Sequence, residues 1–113
     1  MRLKLIAASL VFAQATFLQG SIAQTIPDWR TALHDLYRYE IAFDACKDVT
    51  PSAADMLRLE AAIAYVEEKT GLEEDELDEL FGTVERDAEK VDEFCKQMAD
   101  AVARVRAIPE SYR

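Results

Sequence analysis

Residues 70–105 read TGLEEDELDELFGTVERDAEKVDEFCKQMADAVARV, and this stretch decides the fold. It opens on Thr70-Gly71-Leu72. A glycine there can take the left-handed conformation that closes a preceding helix, and the leucine after it supplies the apolar residue of a Schellman cap. Acids follow at once, as the positive end of a new helix favours. From that point Leu77, Phe81, Val84, Ala88, Val91, Cys95, Met98, Val102 and Val105 recur at alternating steps of four and three, which is a helical period. A single helix from about 74 to 108 would be about 50 Å long at 1.5 Å per residue. Gly82 and the polar run Glu85-Arg86-Asp87-Ala88-Glu89-Lys90 weaken it, so the reading favours a break between 86 and 92.

Upstream of Gly71 the same period appears twice more. The second helix is expected to start with Thr50 as N-cap and Pro51 as its first residue, carrying Met56, Leu59, Ala62, Ile63 and Val66 inward. The first is expected from near Pro27 to about Asp48, with Trp29, Ala32, Leu36, Tyr39, Phe43 and Cys46 as its stripe and Leu33 at its flank. The aromatics concentrated there (Trp29, Tyr37, Tyr39 and Phe43) read as core more readily than as a ligand groove. Gly, Pro and Asn are too few for the turns of a β-sandwich or barrel, and the three glycines are too scattered for a dinucleotide or P-loop fold. The sequence therefore predicts an all-α bundle of three to four helices in one domain, residues 24–113, with a tail from 108 that frays.

The first 23 residues read as a secretory signal. Arg2 and Lys4 precede an apolar run from Leu5 to Ala13, and Ser21 and Ala23 fit a small-residue cleavage site, giving a mature start at Gln24. The expectation is a periplasmic or secreted protein with no membrane span left after cleavage. In that compartment two cysteines of a small chain pair, so Cys46 and Cys95 are expected to form a structural disulfide.

The 90 residues from Gln24 carry 22 acids against 11 bases. Such a charge repels nucleic acid and favours a cationic partner. Residues 67–93 hold thirteen carboxylates against Lys69, Arg86 and Lys90. Three readings of this segment compete. It is a solvated face, or a docking surface for a cationic protein centred on Glu73, Glu74, Asp75, Glu76, Asp78 and Glu79, or a divalent-cation site. The last is disfavoured, because consecutive helical carboxylates point apart and no calcium-loop pattern is present. His34 is the only histidine and lies off the stripe, so no metal site is expected. Ser52 sits in a helix start and Ser111 in the tail, leaving a catalytic triad without a nucleophile. No carboxylate pair is singled out for glycosidase work. Neither catalysis nor a cofactor is expected.

One cysteine near the end of the first helix, and a second about fifty residues later in Phe94-Cys95-Lys96-Gln97, resembles the acid-stress chaperones of the HdeA type. That resemblance implies a small periplasmic helical protein with one disulfide that opens in acid and holds partly unfolded clients. Trp29, far upstream of Cys46, and the stronger acidity depart from it. The layout is equally similar to small exported proteins of alphaproteobacteria, through Thr70-Gly71-Leu72 and Glu76-Leu77-Asp78, which implies location and fold but no activity. Near pH 2–3 most carboxylates protonate and the mature charge swings to about +12, an inversion that loosens a bundle by self-repulsion. The expected function is a non-enzymatic exported binding protein of the holdase kind. The alternatives are an acidic inhibitor or immunity-type protein for a cationic partner, and a structural envelope protein.

Overall fold

A computed structural model of the chain describes residues 28–112. The leader, its cleavage site and Pro27 lie outside the described residues. Within them the chain is all-helical, with five helices and no strand: α1 (Trp29–Ala45), α2 (Ala53–Thr70), α3 (Glu74–Asp87), α4 (Val91–Gln97) and α5 (Ala101–Arg106). α1 is the central element and packs against all four others, while α2 also packs against α5.

That central position widens the buried face of α1. Leu33 is fully buried, not merely flanking, and Leu36, Tyr37, Tyr39, Ala42 and Cys46 join it, while Trp29, Ala32 and Phe43 are only partly covered. A helix with neighbours on several sides buries more than the narrow stripe that a single partner would require.

Both expected helix starts shift by about two residues, for the same reason. α1 begins at Trp29 because Asp28 caps it: its carboxylate accepts from the N–H groups of Arg30 and Thr31 and from the Thr31 hydroxyl. α2 begins at Ala53, not at Pro51, because Ser52 and Asp55 form a reciprocal capping box, with Ser52 Oγ accepting from Asp55 N–H and the Asp55 carboxylate accepting from Ser52 N–H. A side chain that satisfies orphan N–H groups fixes a start more firmly than a proline that only leaves one unneeded. The other end of α2 is as expected. Gly71 stands at φ +69° and closes it.

The arm after Gly71 is broken twice, once in the expected window and again at 98–100. At the first break Ala88 N–H reaches both Val84 O and Glu85 O, and Glu89 N–H reaches Arg86 O. At the second, Met98 N–H bonds Phe94 O and Cys95 O, and Ala101 N–H bonds Met98 O. These three-residue closures tighten the chain and reset its helical phase. Val84, Ala88, Met98 and Val105 keep their expected places in the core, but Phe94 and Ala101 replace Cys95 and Val102 as the deepest residues. Val91, expected inside, is 45% exposed, and Met56 on α2 is likewise outside. A straight rod would overshoot its partners; the two bends fold its apolar face back onto α1.

The disulfide is formed. Cys46, at the C-terminal end of α1, joins Cys95 in α4, with their Cα atoms 5.5 Å apart. A bidentate ion pair holds α5 to α2: Arg106 Nε and Nη2 each donate to the buried Asp55 carboxylate at 2.9 Å. The tail, expected to fray, is instead packed. Tyr112 stacks on Tyr65 with ring centroids 5.3 Å apart and leans on Trp29 at 5.7 Å, while Arg58 donates to Ile108 O.

Candidate functional site

Where α1, α2 and α3 meet, a cleft of about 360 Å³ opens to solvent. Its floor is apolar, from Ile63, Leu77 and Phe81, and its rim carries four carboxylates: Glu40 from α1, Glu67 from α2, and Glu74 and Asp78 from α3. Helical geometry places them there. Tyr37 and Glu40 are three residues apart and Glu74 and Asp78 four, so each pair shares one face of its helix. Among the described residues no cationic side chain lines the cleft.

Tyr37 is the hinge of this arrangement. Its ring is buried and meets Phe81 edge-on at 5.1 Å, and its hydroxyl donates to Glu67 Oε2 at 2.6 Å. Desolvation, the hydrogen bond to Glu67 and the surrounding charges of Glu67, Glu40 and Asp78 push the phenol above its ordinary range. Tyr37 therefore keeps its proton and donates it in the hydrogen bond to Glu67 Oε2. Glu40 is also raised, first by partial desolvation and then by the negative charges of Glu67, Asp44 and Glu60. Burial acts first on both groups, and the neighbouring negative charges add to it by disfavouring a further charge at Glu40 and at the Tyr37 oxygen.

Of the six acids expected to form a docking face, Glu74 and Asp78 enter the cleft. The Glu76 carboxylate accepts from Glu73 N–H at 3.1 Å and so serves the start of α3. Asp75 and Glu79 are exposed and line no part of the cleft. Glu40 has no expectation attached to it in the sequence, although a signal exists. At helical spacing it is surrounded by Leu36, Tyr37, Phe43 and Asp44, and so lacks a cation within reach on its own helix. The pairing of Tyr37 with Glu67 crosses thirty residues of chain and has no local signature.

His34 lies elsewhere. It lines a smaller pocket with Arg38, Asp87, Lys90, Glu93, Phe94 and Gln97, and its Nδ1 is 4.0 Å from Asp35. Among the described residues no three His, Cys, Asp or Glu side chains come together in a way that would hold a metal ion, and no helix is long and apolar enough to cross a membrane. The cleft's chemistry is that of a cation receptor: a ring of acceptors over an apolar floor suits a Lys or Arg side chain whose stem is buried while its head is paired. The chain matches no protein-family model, no curated protein and no solved structure.

Proposed function

We propose that the protein is a non-enzymatic, exported binding protein that docks a cationic segment of a protein partner in the α1–α2–α3 cleft. The observation that carries this reading is the rim of Glu40, Glu67, Glu74 and Asp78 around an apolar floor, with no cation among the described residues lining it. Electrostatic steering by the remaining acids of α3, Asp75 and Glu79 among them, raises the encounter rate and makes it salt-dependent. The test is fluorescence anisotropy with an amphipathic lysine- and arginine-rich helical peptide. The double variant Glu40→Lys with Asp78→Lys is expected to weaken binding at least tenfold, and wild-type affinity is expected to fall steeply between about 50 and 200 mM salt as surface charges are screened. Binding that ignores both the substitutions and the salt rejects the reading.

A second reading, an acid-opened holdase, rests on the contact between Asp55 and Arg106. The guanidinium of Arg106 and the N–H of Ser52 hold the Asp55 carboxyl well below the usual carboxylate range. A depressed acid stabilises the fold above its unfolded pKa and loses that contribution as pH falls toward the folded value, so this latch weakens from about pH 5 downward. Glu40 acts with the opposite sign, since the cost of ionising it in the fold is relieved as pH falls. Asp55→Asn is expected to flatten the fall of the urea midpoint between pH 5 and pH 2. An unchanged slope would remove Asp55 as the latch, and equal protection of an aggregating client at pH 3 and pH 7 would remove the holdase reading.

A further inference from the structure

A second groove, about 640 Å³ in volume and open to solvent, runs between the C-terminal end of α1 and α4, and both cysteines line it. The two are unequally covered. Cys46 is 5% exposed, whereas Cys95 is only half-buried and stands beside the exposed Val91. An attacking group entering the groove meets Cys95 first. Its approach is also electrostatically open: Lys47 and Lys96, each next in sequence to a cysteine, line the groove and offset Asp48 and Asp92. The charges lining the groove balance, two lysines against two aspartates, in a chain that carries 22 acids.

What the bond holds is short. α4 has seven residues, a length at which an isolated helix does not persist in water, whereas α5 has its own tie to α2 in the Asp55–Arg106 pair. α4 packs chiefly against α1, the helix to which the disulfide ties it. The α1–α2–α3 contacts lie outside this clamp.

We propose that Cys46–Cys95 is a reducible clamp, opened in the native state by a dithiol oxidoreductase that attacks Cys95 from the groove, and that its opening releases α4 while α1, α2 and α3 stay folded and α5 stays on α2. The exchange balances as follows. A partner thiolate attacks Cys95 Sγ, forming a mixed disulfide and expelling Cys46 as a thiolate, which takes a proton from solvent. The partner's second thiolate then attacks its own sulfur in that mixed bond, expelling Cys95 as a thiolate, which is likewise protonated. The protein gains two electrons and two protons, and the partner dithiol becomes a disulfide.

The test uses the oxidised full chain and dithiothreitol at pH 8, with iodoacetamide trapping and intact-mass readout. Reduction through the groove gives a rate proportional to dithiothreitol and changing less than twofold across guanidinium concentrations below the unfolding transition. A rate that climbs tenfold or more with the unfolded population overturns the proposal, because it shows a bond reached only by global unfolding. With glutathione, peptide mapping should place the first adduct on Cys95; an adduct on Cys46 overturns the assigned direction. Lys96→Glu should slow reduction by this anionic thiol severalfold, and an unchanged rate removes the lysine from the account. Hydrogen exchange on the reduced wild-type chain should show protection lost over residues 91–97 and retained in α1, α2 and α3. Loss everywhere, or nowhere, ends the clamp reading.

Discussion

Removal of the disulfide, as Cys46→Ala with Cys95→Ala, is expected to lower the unfolding free energy by about 4 kcal/mol and the melting temperature by roughly 15–30 °C. The magnitude follows from the 49-residue separation of the two cysteines. A cross-link of that span removes most of the loop-closure freedom of the unfolded chain, and the entropy restored by cutting it favours unfolding. Against a total of about 5–15 kcal/mol for a small domain this is a large share. Urea unfolding followed by far-UV circular dichroism gives the check and separates two causes. If the loss arises in the unfolded state, the denaturant slope rises in the variant, because an unbridged chain exposes more surface when it unfolds. A loss below about 1 kcal/mol, with an unchanged slope, would mean that the bond decorates a fold already complete without it.

The fold class was legible because its signals are local. The Gly71 cap follows from a glycine whose backbone needs positive φ, and the apolar period of α1 and α2 follows from residues within a few turns of one another. Phase across the last arm was legible only in part. Val84, Ala88, Met98 and Val105 kept it because each helix segment obeys the same period, but a three-residue closure completes a turn in three residues instead of about 3.6, so the inward direction returns early. The deep positions therefore slip by one, from Cys95 to Phe94 and from Val102 to Ala101. The first break announces itself through Gly82 and a polar run. The second, at 98–100, has no glycine or proline to mark it; it follows from where the arm must turn to reach α1 and α2, which is a tertiary demand.

The acidic cleft was half legible for a related reason. A run of acids on one helix is visible in the sequence, and two of its members, Glu74 and Asp78, line the cleft. Concavity is not a property of one helix. Glu40 and Glu67 complete the rim only because α1 and α2 present them to α3, with Tyr37 fixed between them by Phe81 on one side and Glu67 on the other. The buried Asp55 shows the same limit. Its capping role is written in Ser52-Ala53-Ala54-Asp55, but its second partner, Arg106, lies 51 residues away.

Phe94→Ala is expected to cost about 3–5 kcal/mol, comparable to losing the disulfide beside it. Phe94 is 3% exposed and is the large side chain by which α4 enters the core. Arg38 covers it, with the guanidinium carbon 5.7 Å from the ring centroid and Nη2 donating to Gln97 Oε1 at 2.7 Å, so truncation also undoes the seat of that arginine. A seven-residue helix has little propensity of its own to offset the loss. The size of the effect depends on whether the space can close. In the oxidised protein the bond fixes Cys95 to the end of α1 and prevents α4 from sliding into the vacated volume, so the cavity persists at full cost. Without the bond α4 is no longer held against α1, so Phe94 leaves the core and the same substitution should cost little there. A double-mutant cycle by urea denaturation, with Phe94→Ala measured in the wild-type chain and in the variant lacking both cysteines, reads that difference directly. Strict additivity would show that ring and bond anchor α4 independently; a shortfall in the summed cost shows that they act as one anchor, with the disulfide setting where α4 sits and Phe94 filling the space that this position defines.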